Sequence, residues 1–282
     1  MDSKRCFLSP AKINLVLRVL RKREDGYHEI MSLVDIVSLY DVIRIKETDD
    51  ENVVVKRISG HMPETTTNTI YKAIDLVRKF TGIKRGIFVE VEKRIPLGSG
   101  LGGASSNAAT VIKALSSLWD LKLSEKDLLR IGTLIGADVP LFIYGKPCIV
   151  KGIGDRIEPA SLPKIWYVIV YPKVELSTKE VYGRLKIVLT KGENDIKLRS
   201  DIKSLDEVAS ILRNDLEEVA SILCPTIKVI KDMLKLQGAK GVSMTGSGSS
   251  VFGCFEDRES AERAAKNLLS FGNVFVARST ND

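Results

Sequence analysis

The sequence predicts an α+β fold of two domains. Apolar residues alternate with polar ones in several short segments, which is typical of β-strands. Other segments place apolar residues three and four positions apart, which is typical of amphipathic helices. With 282 residues, 44% of them hydrophobic, the chain is long enough to bury one large core or two ordinary ones without disulfides or metals.

The N-terminal half is expected to begin with a sheet and to continue with alternating helices and strands. Asp25-Gly26 is a turn signal between the first strand and a returning strand or pair of strands. Ser124 is a predicted helix N-cap, and Gly82 and Gly136 are predicted helix ends. The predicted elements are strands at 13–20, 30–45, 87–95 and 147–154, and helices at 68–81, 105–118 and 124–136.

We expect a domain boundary near residue 155, which separates an N-terminal domain at 1–155 from a C-terminal domain at 156–282. The second part mixes helices and strands, as a further α+β domain would. Its predicted helices are 205–223, 226–236 and 257–270, and its predicted strands are 166–171, 241–245, 250–255 and 273–277. Residues 183–204 are polar, and no element is predicted for them.

Charge and composition exclude several classes of protein. Lysine and arginine total 43 against 36 acidic residues, which gives a net charge of +7. Because basic and acidic residues are interleaved, this charge supports only a weak bias toward anionic ligands. The four cysteines and two histidines are widely spaced, so no structural transition-metal site is expected.

The hydropathy of the chain predicts no membrane span. The longest apolar run, at 165–170, is far shorter than the roughly 20 residues that a span requires. The first eight residues carry charges but no apolar signal core. We therefore expect a cytoplasmic protein.

A glycine-rich segment between a predicted strand and a predicted helix is the strongest functional signal. Glycines let the backbone approach a ligand closely, and the N–H groups at a helix start attract phosphate oxygens. The predicted phosphate-binding loop consists of Pro96, Leu97, Gly98, Ser99, Gly100, Leu101, Gly102, Gly103, Ala104, Ser105 and Ser106. The alternative is an ordinary helix start with Ser105 as the N-cap.

Two standard nucleotide-binding loops are disfavoured. The spacing of Gly98, Gly100 and Gly103 satisfies G-x-G-x-x-G, but a dinucleotide motif belongs in an early βαβ unit, followed by a strand that ends in an acid. A P-loop requires Ser or Thr after Gly-Lys, and here Lys146 is followed by Pro147.

Two further positions are candidates for chemistry. Lys12 and Asn14 lie on the same face of the first predicted strand, roughly 6.5 to 7 Å apart, so they can address one ligand together. The alternative is a solvent-facing strand edge. Asp138 precedes a Val-Pro pair that suits a helix start, so it is predicted as a helix N-cap, a rigidly held catalytic base, or both.

These blocks resemble the GHMP kinase superfamily in order and spacing over almost the whole chain. The resemblance is carried by residues 10–15, 23–28, 96–109, 136–140, 214–216 and 245–253. Gly103-Ala104 is inserted before Ser105-Ser106, where the wider superfamily has G-L-G-S-S. This departure matches the branch that phosphorylates 4-diphosphocytidyl-2-C-methyl-D-erythritol.

The resemblance implies a fold and an activity. The fold is an N-terminal ribosomal-protein-like α/β domain with the ATP loop and a C-terminal ferredoxin-like domain, whose 245–250 loop closes over the transferred phosphate. The activity is ATP-dependent phosphorylation of the erythritol 2-hydroxyl of a cytidine diphosphate conjugate, with release of ADP, in the non-mevalonate isoprenoid pathway. Mg²⁺ is expected with ATP, without a named protein ligand.

The resemblance also implies roles for single residues. Lys12 and Asp138 match the catalytic pair, with Asp138 as general base and Lys12 as the stabilising charge. Asn68 and Lys93 match positions near the adenine or ribose. The expected substrate-binding residues are Asn14, Tyr27, His28 and Tyr182, of which the two tyrosines stack on the cytosine and His28 addresses its edge.

Two alternative functions stay open at this point. One is a GHMP kinase that acts on a different small alcohol. The other is an RNA-binding module, because the implied N-terminal fold also occurs in ribosomal proteins. Sheets that bind RNA stack bases on aromatic residues, whereas aromatic residues make up only 6% of this chain and are scattered. We therefore expect a small-molecule substrate, no nucleic-acid or membrane partner, and a monomer or homodimer.

Overall fold

The structure is a computed structural model that describes residues 4–62, 68–185 and 198–280. The chain forms two compact units. The first unit contains Met1–Ala11, Tyr40–Leu97 and Gly102–Gly145, and the second unit contains Lys12–Leu39, Gly98–Leu101 and Lys146–Asp282. The domain boundary near residue 155 stays a prediction.

Strands and helices alternate through the described residues. The strands are β1 (Arg5–Lys22), β2 (His28–Thr48), β3 (Val53–Ser59), β4 (Gly86–Glu92), β5 (Cys148–Gly152), β6 (Arg156–Pro159), β7 (Trp166–Tyr171), β8 (Arg213–Asn214), β9 (Gly241–Met244), β10 (Val251–Phe255) and β11 (Asn273–Arg278). The α-helices are α1 (Thr69–Thr81), α2 (Gly103–Leu118), α3 (Glu125–Ile135), α4 (Val139–Tyr144), α5 (Thr178–Arg184), α6 (Leu205–Ile211), α7 (Glu217–Leu223), α8 (Thr226–Leu236) and α9 (Arg258–Lys266).

The strands form two sheets within the described part of the chain. The larger sheet has the order β3-β4-β2-β1-β8, and β5 pairs with β2 and with β6. The smaller sheet has the order β11-β7-β10-β9, and all its neighbours are antiparallel. Helices and strands of mixed pairing occur together, so the α+β prediction is confirmed.

Helices α1 and α3 of the first unit begin and end where the sequence predicts. The side chain of Asn68 accepts a hydrogen bond from the Ile70 N–H, and Gly82 ends α1 with a φ of 76°. The buried face of α1 consists of Ile70, Ala73, Ile74 and Val77. Helix α3 begins with a reciprocal capping box between Ser124 and Asp127.

The second unit has a separate core beneath the smaller sheet. Helices α8 and α9 pack against strands β7, β9 and β10, and α7 packs against α8. This core includes Leu17, Val168, Val170, Leu216, Ile227, Ile230, Leu234, Met244, Val251 and Phe255. Leu17 belongs to β1, so the first strand of the chain supports the core built by its C-terminal part.

The predicted helix at 205–223 is wrong, because the chain leaves the helical path between α6 and α7. There β8 pairs in parallel with β1, so that Arg213 lies opposite Val16 and Asn214 opposite Leu17. The Asp215 N–H donates to the Leu17 carbonyl at 2.9 Å. Strand β1 would otherwise present unpaired backbone groups at this edge, and β8 satisfies them.

Smaller corrections concern element ends. The alternative with Ser105 as N-cap is wrong, because α2 begins at Gly103 with Gly102 as its N-cap. The predicted helix at 257–270 ends as α9 at Lys266 and is followed by a 3-10 turn at Leu269–Phe271. Of the polar segment at 183–204, residues 186–197 lie outside the described residues. No helix in the described ranges is long and apolar enough to cross a membrane.

Candidate active site

The glycine-rich loop ahead of α2 has an unusual backbone. Gly98, Gly100 and Gly102 have φ values of 60°, 79° and 75°, in the left-handed region where other side chains are strained. Successive backbone N–H groups around such residues form concave surfaces that attract anions. Gly102 has no side chain to occupy the N–H groups at the start of α2. The loop therefore has the backbone geometry of a phosphate-binding loop.

In the second unit, residues 98–101 pack against the turn at 245–250. A Cβ atom on Gly100 would lie 2.2 Å from the Thr245 carbonyl oxygen, so only glycine allows this approach. The Ser250 N–H donates to the Ser99 carbonyl at 3.2 Å. The two glycine-containing segments therefore support each other through their backbones.

Lys12 and Asn14 are buried next to these segments, also in the second unit. Their side chains are 3% and 7% exposed, and the Lys12 ammonium group donates to Asn14 Oδ1. The Lys12 N–H donates to the Leu101 carbonyl at 3.1 Å. The expected placement on one face of β1 is confirmed, and the alternative of a solvent-facing strand edge is wrong.

Asn14 is fixed by hydrogen bonds on several sides. Its N–H donates to Thr245 Oγ1 at 3.0 Å, and Thr245 Oγ1 donates to Asn14 Oδ1 at 3.2 Å. Its Nδ2 donates to Ser32 Oγ at 2.8 Å. The Asn14 amide therefore has one orientation, which presents its oxygen to Lys12.

In the first unit, Lys93 forms a buried ion pair with Asp41. Burial lowers the pKa of Lys93, and the charge of Asp41 opposes this shift. The same carboxylate accepts the N–H groups of Arg94 at 2.7 Å and Ile95 at 2.8 Å. Asp41 thus fixes the chain just before the glycine-rich loop, a function that the sequence analysis missed. An acid between apolar residues of a strand, as in Tyr40-Asp41-Val42, is the signal that marks it.

The start of α2 is held by side chains of the first unit. Thr69, next to the cap residue Asn68, donates from Oγ1 to the Ala104 carbonyl at 2.8 Å. Ser9 Oγ lies 2.8 Å from Ser106 Oγ and 2.8 Å from Asn107 Oδ1. These contacts fix the first turn of α2 without using its N–H groups.

Asp138 occupies the N-cap position of α4 but makes no capping hydrogen bond with its side chain. The preceding turn is closed by the Val139 N–H, which donates to the Gly136 carbonyl at 3.1 Å. The side chain is partly buried. The backbone thus places Asp138 where the sequence predicts a helix start, while its carboxylate does not serve as the cap.

The aromatic candidates lie in the second unit. The rings of His28 and Tyr182 are in contact, with centroids 4.9 Å apart and planes inclined by 37°. Tyr27 is 61% exposed, and its N–H donates to Asp25 Oδ1 at 3.1 Å in the turn between β1 and β2. Burial, followed by the charge of Lys22, lowers the pKa of His28.

The candidate residues therefore form separate groups within the units. The second unit joins Lys12 and Asn14 to residues 98–101 and to the 245–250 turn, and it joins His28 to Tyr182. The first unit contains Asn68, Lys93, the start of α2 and Asp138.

Comparison with known proteins identifies the family of the chain. The model of the GHMP kinases N terminal domain matches residues 68–146, and that of the GHMP kinases C terminal domain matches residues 197–274. A protein of Syntrophotalea carbinolica is 42% identical over 98% of this chain and 99% of its own length. A protein of Syntrophus aciditrophicus is 40% identical over 96% of this chain and 98% of its own length. Both are named 4-diphosphocytidyl-2-C-methyl-D-erythritol kinase.

The chain belongs to the GHMP kinase family. It is therefore a small-molecule kinase, and ATP is the cosubstrate of such kinases. A solved structure of 4-(cytidine 5'-diphospho)-2C-methyl-D-erythritol kinase matches this GHMP kinase with a TM-score of 0.80 and 32% identity, over 97% of this chain and 98% of that one. The mevalonate kinase of Methanococcus jannaschii shares the fold with a TM-score of 0.73 at 16% identity. The two-domain GHMP kinase fold is confirmed.

Proposed function

We propose that this kinase transfers the γ-phosphoryl group of ATP to the 2-hydroxyl of 4-diphosphocytidyl-2-C-methyl-D-erythritol and releases ADP, as a step of isoprenoid biosynthesis. The single observation behind this proposal is the buried Lys12–Asn14 pair, hydrogen-bonded to the glycine-rich loop and to Thr245. A cation beside a phosphate-binding loop is what phosphoryl transfer requires. The names of relatives at 40% and 42% identity support the substrate.

In this proposal the glycine-rich loop and the first turn of α2 hold the triphosphate through backbone N–H groups. Lys12 stabilises the charge that develops on the transferred group, and Asp138 accepts the proton of the substrate hydroxyl. The carboxylate of Asp138 suits this role because it does not cap α4. Asn68 and Lys93 support the nucleotide end through α1 and the segment that follows β4. Lys12→Ala is expected to lower kcat by roughly 10² to 10⁴, as for other groups that act in the transition state.

Mg²⁺ is expected with ATP, and when bound it would reduce the negative charge of the phosphates. The described residues contain no group of three or more His, Cys, Asp or Glu side chains that could hold a metal ion.

We place the cytosine at Tyr27, His28 and Tyr182. Stacking on an aromatic ring is worth roughly 1 to 3 kcal/mol per base but does not distinguish cytosine from uracil. His28 and its neighbouring backbone supply the donor and acceptor that the edge of the base requires. CMP is therefore expected to compete with the conjugate better than UMP does, and His28→Ala to reduce this preference. Equal inhibition by CMP and UMP would contradict a cytosine-specific site at these residues.

An ADP-release assay with a panel of alcohols tests the substrate. We expect ADP with the cytidine diphosphate conjugate and scarcely any with free methylerythritol, mevalonate or galactose. Comparable release with mevalonate would instead assign the protein to another branch of the GHMP kinases. A cytoplasmic location, the absence of nucleic-acid partners, and a monomeric or homodimeric state are part of the same proposal.

A further inference from the structure

The turn formed by Asn214, Asp215 and Leu216 has no role in the mechanism proposed above. It lies in the second unit, between β8 and α7, at the edge of β1. Asp215 binds this edge through its backbone and also accepts the Val19 N–H at 3.0 Å. The turn is therefore docked on the same strand that carries Lys12.

The side chain of Asn214 uses all its hydrogen-bonding groups. Its Nδ2 donates to the Met244 carbonyl at 2.8 Å and to the Gly246 carbonyl at 2.9 Å. Its Oδ1 accepts the Leu216 N–H at 2.9 Å. The two acceptor carbonyls belong to the residues on either side of Thr245, so one buried amide holds the backbone around Thr245, where the 245–250 turn begins.

The side chain of Thr245 is hydrogen-bonded to a residue of the proposed reaction centre. Its Oγ1 exchanges hydrogen bonds with Asn14, at 3.0 Å to the N–H and 3.2 Å to Oδ1. Asn14 Oδ1 in turn accepts from the Lys12 ammonium group. Within the second unit, Asn214 is therefore hydrogen-bonded to the backbone on both sides of Thr245, and hydrogen bonds lead from the Thr245 side chain through Asn14 to Lys12.

We propose that Asn214 is a positioning residue for phosphoryl transfer, which orients Lys12 through Thr245 and Asn14. The inference rests on the proposed function, in which Lys12 stabilises the transferred phosphoryl group. An amide suits this position because it supplies two donors and an acceptor. A carboxylate would place a second oxygen against the two carbonyl groups, and the 245–250 turn would move away.

The test compares Asn214→Asp, Thr245→Val and the double variant by steady-state kinetics. Each single variant is expected to lower kcat at least tenfold, because lost orientation of Lys12 affects the transition state. KM for ATP is expected to change by a smaller factor than kcat, because the start of α2 is held by Thr69 and Ser9 rather than by the 245–250 turn. In the Thr245→Val background, Asn214→Asp should lower kcat by less than about threefold, because the link that it acts through is already absent.

Asp215→Asn is the matched control, because this neighbour contacts β1 and Arg213 but makes no hydrogen bond to the 245–250 turn. It is expected to lower Tm and leave kcat unchanged. An equal loss of kcat in Asp215→Asn and Asn214→Asp would show that the turn acts only by supporting the fold, and it would overturn the inference. Fully multiplicative effects in the double variant, or an unchanged kcat in Thr245→Val, would overturn it as well.

These outcomes are distinct from a failure of the proposed function. If the unmodified protein releases ADP with a different alcohol of the panel, the assigned substrate is wrong. The comparison of variants is then made with that alcohol, and its outcomes keep the same meaning for Asn214. Thr245→Val keeps the inference testable even if Asn214→Asp does not fold, because Thr245 is the residue whose side chain is hydrogen-bonded to Asn14.

Discussion

Asp35 is a buried acid, and we expect its protonation to make the stability of the second unit depend on pH. It is fully buried in β2, and its Oδ2 accepts from Tyr167 at 2.8 Å and from Ser279 at 2.6 Å. Its Oδ1 has no hydrogen-bond partner among the described residues. Burial raises the pKa of Asp35 to about 6, and the bonds from Ser279 and Tyr167 offset only part of this effect.

The sign and size of the pH dependence follow from this pKa. Below about pH 4, Asp35 is protonated in both the folded and the unfolded chain. Between about pH 4 and 6 the folded chain keeps a proton that the unfolded chain releases, so the free energy of unfolding falls as pH rises. The gap of about two pH units corresponds to ~3 kcal/mol at about 1.36 kcal/mol per unit. About 2 kcal/mol of this loss lies between pH 4.5 and 7.5.

Asp35→Asn removes this titration and isolates its contribution from those of other groups. Denaturant unfolding of both proteins between pH 4.5 and 7.5 gives the difference in unfolding free energy at each pH. We expect the advantage of the unmodified protein over Asp35→Asn to shrink by about 2 kcal/mol across this range. Burial and the charge of Asp35 raise the pKa of the neighbouring Cys148 and Cys254 thiols, so these groups do not titrate there.

Asp50→Asn serves as the control, because Asp50 is exposed and hydrogen bonds from Thr48 and Asn52 lower its pKa. Its difference from the unmodified protein should show no fall with rising pH. A flat difference for Asp35→Asn, or one that rises with pH, would refute the argument that Asp35 is an acid kept protonated by burial.

Three further variants test the candidate site. Asp138→Asn is expected to lower kcat by roughly 10² to 10⁴ with little change in Tm. The control is Asp257→Ala, which removes a helix cap bonded to the Ser260 N–H at 2.8 Å and should lower Tm without changing kcat. A lower Tm with unchanged kcat in Asp138→Asn would make Asp138 a structural cap. Gly100→Ala is expected to raise KM for ATP at least tenfold, because the added Cβ atom would collide with the Thr245 carbonyl oxygen. Gly82 has a similar φ, but a Cβ atom there would meet no atom within 4 Å, so Gly82→Ala should leave KM for ATP unchanged. Tyr27→Ala should raise KM for the conjugate by roughly tenfold with KM for ATP unchanged, and an equal rise in both values would contradict a stacking role.

Local chemistry explains why much of the fold could be predicted. Helices α1 and α3 are set by residues near in sequence, such as the cap of Asn68 and the box of Ser124 and Asp127. The glycine-rich loop was also predictable, because only glycine accepts its backbone conformation. Strand β1 has a period of two that places Lys12 and Asn14 together.

The features that could not be predicted from the sequence depend on contacts between residues far apart in the chain. The break between α6 and α7 could not be predicted, because the apolar residues of 205–223 have helical spacing. Asn214 leaves the helical path because it pairs with the edge of β1. Asp41 and Asp35 were missed for a similar reason. An acid in an apolar strand has no visible partner in the sequence, and Lys93 and Tyr167 lie 52 and 132 residues away from them.

The hydrogen bonds between Asn14 and Thr245 also have a consequence for synthesis on the ribosome. The two residues are separated by 231 positions, and chain elongation adds about 5 to 20 residues per second. Thr245 is therefore synthesised on the order of tens of seconds after Asn14. Chains that end after Asp138 and before Thr245 contain Lys12 and the glycine-rich loop but lack the threonine that is hydrogen-bonded to Asn14. If the proposed roles of Lys12 and Asn14 are correct, we expect such incomplete chains to have no kinase activity.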